Sequence, residues 1–441
     1  MKYRHTSLKT KLENLSIASK IMFILVCIVI IRAGSLIPLP FVNAEYMHIL
    51  LGDNGLGFLN SVTGGSFYQM SIFALSISPY ITASIIVQLM SIVFPQLEKM
   101  RKEGKSGQDK YKKITTVTGI GLAFLQSAGM AIGLGYNGLI EPFNALTVIG
   151  AIIIWTAGAA ALIGIGELIS KLNVGNGISI ILTANILSTL PSDVYTIKAV
   201  LMDGRDAAGL TVNIGLTVAV FLCIIASCIV LTKTVKKIKV TQSRKLAGFA
   251  DSTFPIPLNT CSVMPVIFAS SILSIPLLIS RFVPAMQTGI AGHIMNALNS
   301  SYWFLPSAPY YTAGILLYAA LTTFFAYFYL SIGFNPLEIA DNFKKSGTVI
   351  PGIRPGMPTA DYIEKVSTRV ALLGNTCMTA LILFMHLVCN VNGLGTLSIA
   401  GTSVLICVNV ILEEKKLADS AKLVKSYSRR VSFIGGLSRV A

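Results

Sequence analysis

The sequence predicts an all-α, polytopic membrane protein with ten transmembrane helices in two inverted halves of five. Three observations indicate this fold: the composition, the alternation of apolar segments with basic loops, and an internal repeat. Of the 441 residues, 53% are hydrophobic and 12% are charged. A soluble domain carries about 25% charged residues, so most of this chain is expected to lie in lipid.

Ten segments are apolar over roughly the 20 residues that a helix needs to cross a bilayer. They are residues 21–39, 70–94, 114–135, 146–168, 177–191, 211–232, 261–280, 310–332, 370–389 and 393–412. Residues 55–68, just before the second span, are too polar and too few to cross.

The basic residues fall on one side of the predicted membrane. Of the 35 lysines and arginines, all but Arg32, Lys198, Arg205 and Arg281 lie in the two tails or in the loops that follow even-numbered spans. The positive-inside rule places such segments in the cytoplasm. We therefore expect a multi-pass protein with both termini cytoplasmic.

Two short stretches recur at the same interval of five spans. Residues 79–86 (PYITASII) of the second span resemble residues 265–272 (PVIFASSI) of the seventh, and residues 177–182 resemble residues 401–406 of the tenth. Because five is odd, the second half enters the membrane from the opposite side, as in inverted-repeat membrane proteins. We expect Pro79 and Pro265 to interrupt their helices.

This reading divides the chain into tails, two halves and their connections. The expected parts are a cytoplasmic N-tail 1–20, an N-terminal half 21–191, an external loop 192–210, a C-terminal half 211–412 with cytoplasmic loops 233–260 and 333–369, and a C-tail 413–441.

The predicted membrane interior offers little chemistry. Arg32 and Glu167 lie near span ends, where snorkelling or local pairing accounts for a charged group. The four histidines do not cluster, the seven cysteines form no CxxC motif, and there is no P-loop. These features predict neither a cofactor nor an enzyme, and they disfavour an ion-coupled transporter.

Apolar pairs occupy the repeated positions instead. Ile77 and Ile81, and likewise Ile178 and Leu182, stand four residues apart on one helical face. The repeat relates Ile81 to Ile267 and Leu182 to Ile406. Such residues either form a narrow apolar ring or pack an ordinary buried surface, and the spacing alone favours the ordinary surface.

From about residue 20 to about residue 410, the chain resembles the bacterial SecY family, the pore subunit of the Sec protein translocase. The resemblance rests on ordered motifs, which are RAGSLIPLP at 32–40, SIFAL at 71–75, PYI at 79–81, ASIIVQL at 83–89, GNGIS at 175–179, PVIFASSI at 265–272, FNP at 334–336, EIADN at 338–342 and IPGIRPG at 350–356.

The resemblance implies a clamshell around an hourglass pore that passes unfolded secretory polypeptides across the plasma membrane and releases transmembrane helices laterally into lipid. The implied pore ring comprises Ile77, Ile81, Ile178, Leu182, Ile267 and Ile406. The segment 55–68 resembles the family's plug, with Gly55, Gly64 and Gly65 giving it backbone freedom. The implied lateral gate comprises Pro79, Ser84, Gln88, Pro265, Ser270 and Ser271.

The cytoplasmic loops resemble the family's docking surface. The implied docking residues are Arg354, Lys236, Lys237, Arg244 and Lys245. The implied partners are SecE-like and SecG-like membrane subunits, the motor ATPase SecA, the ribosome, and polypeptides that carry signal sequences.

Some positions depart from the family pattern. The loop after the sixth span is short, residues 257–260 (PLNT) lack a usual lysine, Asn409 lies inside the tenth span, and the C-tail differs. These departures leave an accessory SecY with a narrow substrate set as an alternative. An inverted-repeat solute transporter is a further alternative, which a polar site at mid-membrane would indicate.

Overall fold

The computed structural model describes residues 17–43, 57–172, 175–202, 207–242, 252–259, 264–282, 288–304, 308–391 and 402–416, together with Met286 and Asp419. Most of these residues are helical, and a helix overlaps each predicted span. We label these ten helices α1 to α10; they are Ile17–Ser35, Ser78–Val93, Gly104–Leu134, Ala145–Ser170, Gly177–Met202, Ala207–Lys233, Met264–Phe282, Ala313–Gly333, Met357–Val391 and 402–416. The prediction of a helical membrane protein is confirmed. Four shorter helices are Gly57–Thr63, Pro95–Lys102, Gly289–Leu298 and Pro336–Ser346.

By length and hydropathy alone, only some of these ten helices qualify as membrane spans. Within the described residues, the helices long and apolar enough to cross a bilayer are Ser106–Gly133, Ala145–Ser170, Gly177–Tyr195, Pro309–Ser346 and Met357–Asn390. The bent pair Ser78–Val93 and Pro95–Arg101 adds one more if it counts as one span. Shorter apolar helices cover Ala219–Lys233 and Met264–Ser280.

Helix α2 begins at Ser78, later than predicted. Ile77 is its N-cap, and Pro79 lies in its first turn. A proline there removes no intrahelical hydrogen bond, because first-turn N–H groups have no partner in the helix. The prediction that Pro79 interrupts a helix is therefore wrong. Pro265 is the second residue of the described part of α7, and residues 260–263 lie outside the described residues.

The chain between the helix Gly57–Thr63 and α2 is a run of turns packed inside the protein. Its backbone is bonded to neighbouring elements through Ile72 N to Ile37 O at 3.2 Å, Leu39 N to Met70 O at 3.1 Å, and Trp155 Nε1 to Ser71 O at 3.1 Å. Within a membrane, non-helical backbone is tolerated only where protein or water satisfies it. The chain just after α1 and the middle of α4 supply those partners here.

The chain forms two compact units. Unit 1 comprises Met1–Gly52, Leu59–Leu190 and Val410–Ala441, and unit 2 comprises Asp53–Phe58 and Pro191–Asn409. In unit 1, α2 packs on α3, α3 on α4, and α1 on α4. In unit 2, α7 packs on α8, α8 on α9, and α6 on α9. The same three pairings thus recur at an interval of five spans, which is the interval of the sequence repeat.

Unit 2 also contains a small sheet that the sequence analysis missed. Strand β1 (Val235–Gln242) pairs antiparallel with β2 (Ser252–Pro257) and, at its far end, with β3 (Thr348–Val349). Ile238 and Val240 of β1 are buried, whereas the lysines between and before them are exposed. This alternation of period two is the usual signal of a half-buried strand.

One face of the sheet closes over a local core. Its buried members are Ile238, Val240, Ile256, Ile350, Ile363 and Val370, which come from the sheet, the loop after β3 and the start of α9. The two loops that are predicted to be cytoplasmic therefore form one packed body, not two independent loops.

Helix α5 begins at a turn that the C-terminal end of α10 completes. Asn176 Oδ1 accepts from Ile178 N at 3.2 Å, and Glu414 Oε1 accepts from Asn176 N at 2.9 Å. A carboxylate at a helix N-terminus interacts favourably with the helix dipole. Partial burial raises the pKa of Glu414, and the bond from Asn176 N opposes that rise. The contact ties residues 410–416 to the start of α5 within unit 1.

Gly158→Ala should destabilise the packing of α4 against the turns before α2. A Cβ at Gly158 would lie 2.3 Å from the backbone oxygen of Ile72, and such overpacking costs about 1–3 kcal/mol. Thermal unfolding of the purified protein in detergent measures the loss. Gly164→Ala on the same helix is the control, since no atom lies within 4 Å of its Cβ position. Equal unfolding midpoints for the two variants would contradict this packing.

Candidate functional site

Four of the six predicted ring residues lie in unit 1. Ile77 is fully buried at the start of α2, and Ile81 is half-buried one turn later, with its N–H bonded to Ile77 O at 3.1 Å. On α5, Leu182 is buried and Ile178 is half-buried. The side chain of Ile178 packs beside Gly166, where an added Cβ would lie 2.5 Å from its Cδ1.

The other two ring residues lie in unit 2. Ile267 on α7 and Ile406 on α10 are 5% and 0% exposed. Beside Ile267, Phe268 meets Phe325 of α8 edge to face, with ring centroids 5.5 Å apart. The convergence of the six residues on one ring stays a prediction.

The predicted plug contains a short helix, Gly57–Thr63, and a tight reversal after it. Gly64 and Gly65 have φ of 68° and 85°, a left-handed conformation that glycine adopts without steric cost. Gly65 N donates to Asn60 O at 2.9 Å and closes the end of the helix. Gly55 lies outside the described residues.

Two polar side chains cap the C-terminal end of this plug helix. Arg32 Nη1 of α1 donates to Gly64 O at 2.7 Å. Asn185 Nδ2 of α5 donates to Val62 O at 3.0 Å and to Ser76 Oγ at 2.9 Å. The last carbonyls of a helix have no intrahelical partner and carry partial negative charge. A cation and an amide therefore hold the plug helix by its backbone.

Arg32 was predicted to snorkel or to pair locally, and the structure shows local pairing. The sequence analysis did not connect Arg32 to the plug, and it missed Asn185. The available signal was a polar side chain on the face of α5 that continues from Ile178 and Leu182. An arginine and an asparagine at membrane depth need partners, and here both find carbonyls of the plug segment.

The seat of the plug is polar and incompletely bonded. Buried polar side chains in this part of the chain are Asn60, Ser61, Thr63, Ser66 and Asn185. Among the residues described, Asn60 Oδ1, Ser66 Oγ and Asn185 Oδ1 have no hydrogen-bond partner. Each such atom loses solvation without compensation, at a cost of about 1–3 kcal/mol. Segments that open readily come from the low-stability parts of a fold, and the plug seat has that character.

The predicted gate residues lie on α2 and α7. Within α2, Gln88 Nε2 donates to Ser84 Oγ at 3.1 Å, so these two groups pair with each other one turn apart. On α7, Ser270 is buried and Ser271 is half-buried. A gate between these helices stays a prediction.

The predicted docking residues that the structure describes all lie on this packed body of the sheet and its two loops in unit 2. Lys236 and Lys237 are exposed on β1, and Arg354 is exposed in the turn after β3. Gly352 and Gly356 flank this turn with φ of 82° and 101°, and Thr359 Oγ1 donates to Arg354 O at 2.8 Å. The turn is thus fixed at both ends, with the guanidinium outward. Arg244 and Lys245 lie outside the described residues.

No group of three or more His, Cys, Asp or Glu residues that could hold a metal occurs in the described part of the chain. Glu167, the acidic residue near the end of α4, accepts a hydrogen bond from Thr116 Oγ1 at 2.6 Å. Local pairing thus accounts for this carboxylate.

Comparison with known proteins gives one consistent family. The SecY family model matches residues 71–414. Translocase subunits SecY of Streptomyces scabiei and Corynebacterium glutamicum are 35% and 33% identical, over 92% and 94% of this chain and 95% and 97% of the relatives.

Solved structures with a similar fold are more distant in sequence. A protein-conducting channel has a TM-score of 0.67 at 17% identity, covering 91% of this chain and 92% of its own. Sec61 in the canine ribosome–channel complex has a TM-score of 0.64 at 17% identity, with the same coverage. A SecY protein whose plug domain stabilises the closed channel has a TM-score of 0.65 at 17% identity, again with that coverage.

Arg32→Leu should loosen the plug helix while leaving α1 in place. Loss of a hydrogen bond from a charged donor costs about 1.5–3 kcal/mol, which corresponds to roughly 10- to 100-fold faster local opening. Hydrogen exchange of the amides at 59–66, followed by mass spectrometry, measures this opening. Arg32→Lys keeps a cationic donor and should exchange at an intermediate rate. Unchanged protection in Arg32→Leu would contradict the capping role.

Proposed function

The chain belongs to the SecY family of protein-conducting channel subunits, and we propose that it passes unfolded secretory polypeptides across the plasma membrane and releases transmembrane helices sideways into lipid. The observation that carries the proposal is the plug helix, which Arg32 and Asn185 hold at its C-terminal end and which the turns of residues 64–76 connect to ring residue Ile77. A plug helix whose surroundings leave buried polar atoms without hydrogen bonds, near apolar positions, suits a channel that must be closed at rest.

The ring provides the seal. Ile77, Ile81, Ile178, Leu182, Ile267 and Ile406 form a narrow apolar constriction in this proposal. Such a constriction excludes water and ions by dewetting. Apolar side chains also form no hydrogen bonds or ion pairs with a passing polypeptide, so the ring would widen around many sequences without retaining any.

The lateral gate lies between α2 with α3 and α7 with α8. Pro79 lies in the first turn of α2 and does not kink the helix. We therefore propose that α2 moves as one straight, rigid helix. Ser84, Gln88, Ser270 and Ser271 place polar groups on the two gate helices. Interhelical hydrogen bonds in membranes contribute about 0.6 kcal/mol each on average. The free energy gained when an apolar signal helix partitions into lipid can exceed the energy of these bonds.

The cytoplasmic body of unit 2 is the proposed docking surface. Its exposed cations, Lys236, Lys237 and Arg354, stand on a packed sheet and a fixed turn. We propose that the motor ATPase SecA binds here, that a ribosome can do so, and that SecE-like and SecG-like subunits complete the membrane complex. Similar channels have been solved on ribosomes from canine endoplasmic reticulum and from yeast. Both termini of the chain are cytoplasmic in this arrangement.

Ile81→Gly and Ile406→Gly should make reconstituted channels leak ions, because each opens a gap in the apolar seal. Ion flux from proteoliposomes that contain the purified complex measures the leak. Ile86→Gly is the matched control, since it makes the same change on the more exposed side of α2. If the ring variants and Ile86→Gly leak equally little, the ring assignment fails, and with it the proposed seal.

Arg354→Glu should abolish motor-driven export while the protein remains folded, because the guanidinium is exposed and reversal of its charge repels an acidic docking partner. Transport of a secretory precursor into inverted membrane vesicles with SecA and ATP measures export. Lys365→Glu, an equal charge change at an exposed site on α9, should retain most activity. Normal export by Arg354→Glu would remove the docking role assigned to this residue.

A further inference from the structure

Two positions at which the chain departs from the family pattern meet in the structure. Asn409 of α10 is 1% exposed, and its Oδ1 accepts from Asn259 Nδ2 at 3.2 Å. Asn259 is the residue that directly follows Leu258 at the exit of β2, within the stretch that lacks the family's usual lysine. An unusual amide in the tenth span is therefore paired with an unusual amide at the base of the sheet.

The bonding capacity of Asn409 is fully used. Its Oδ1 also accepts from Thr232 Oγ1 at 2.7 Å, and its Nδ2 donates to Leu405 O at 2.8 Å and to Cys228 Sγ at 3.4 Å. A buried amide with all its partners is held in one orientation. Asn409 thus joins α10 to the last turns of α6 and to the chain leaving β2.

The base of the sheet is itself rigidly attached. Leu258 N donates to Thr234 O at 2.8 Å, which closes the membrane end of the β1–β2 ladder. An added Cβ at Gly374 of α9 would lie 2.1 Å from Leu258 O, so helix and hairpin are in direct backbone contact. Asn259 is the next residue, so a displacement of the sheet reaches its side chain without a flexible linker between them.

Ile406 stands three residues before Asn409 on the same helix and is fully buried. We propose that Asn409 is a positioning residue that links the cytoplasmic sheet to Ile406, so that a change in the sheet alters the apolar seal. The proposal rests on the proposed function in one respect, the membership of Ile406 in the pore ring. The link consists of the hydrogen bonds that Asn409 makes to Thr232, Asn259, Leu405 and Cys228.

The test is a mutant cycle read out as ion leak from proteoliposomes that contain the purified complex. Asn409→Leu keeps the volume of the side chain and removes its bonds, and we expect the leak to rise about threefold for each interhelical hydrogen bond lost. Ile256→Ala loosens the sheet core and should raise the leak of the parent. In the Asn409→Leu background Ile256→Ala should add nothing further.

Asn375→Leu is the matched background, because Asn375 donates to Thr323 Oγ1 across α9 and α8 and has no bond to the hairpin. In that background, Ile256→Ala should keep its full effect. If the leak of the Asn409→Leu, Ile256→Ala double variant equals the product of the single changes, the link is overturned.

Two further variants keep the test decisive. Asn259→Leu removes the joining bond from a half-buried site, and it should reproduce the loss of coupling even if Asn409→Leu does not fold. Ile406→Gly separates the two hypotheses. If Ile406→Gly does not raise the ion leak, the assignment of Ile406 to the pore ring fails. If Ile406→Gly raises the leak, but the leak of the Asn409→Leu, Ile256→Ala variant equals the product of the single effects, only the link through Asn409 fails.

Discussion

The requirement that backbone polar groups be bonded inside a membrane shapes the part of unit 1 that carries the plug. Between the plug helix and α2 the chain is not helical, so its N–H and C=O groups depend on other elements. Ile37, Leu39 and Trp155 provide backbone and indole partners, and Arg32 and Asn185 cap the plug helix. The plug segment is thus attached to α1 and α5 through the backbone carbonyls of Gly64 and Val62.

The number of spans and their pairing followed from patterns that lipid imposes on a sequence. Apolar length and the placement of lysine and arginine fixed the ten helices, and the repeat of residues 79–86 at 265–272 anticipated the recurrence of helix pairings at an interval of five spans. These signals are strong because each apolar residue and each charged loop residue gives independent support to the same assignment of spans and loops.

Local backbone geometry was harder to predict. The apolar run 70–94 looks like one helix, yet residues before Ser78 form turns, because the carbonyl of Ile37, just after α1, and the indole of Trp155 on α4 replace the helical bonds. The sheet was missed because its lysines suggested a solvated loop, although Ile238 and Val240 alternate with them. The capping by Arg32 and Asn185 depends on tertiary proximity, and the spacing of residues offers no more than the placement of Asn185 on the α5 face that carries Ile178 and Leu182.

The half-buried guanidinium of Arg32 gives the closed state an unusual thermodynamic character. While Arg32 Nη1 donates a hydrogen bond to Gly64 O, the half-buried guanidinium has given up part of its hydration for that bond. When the plug leaves, water can solvate the charge, and this hydration offsets part of the lost bond. Reclosure then requires the cation to be dehydrated again. The hydration of this one residue would therefore reduce the free-energy difference between the closed and the open arrangement of the plug segment.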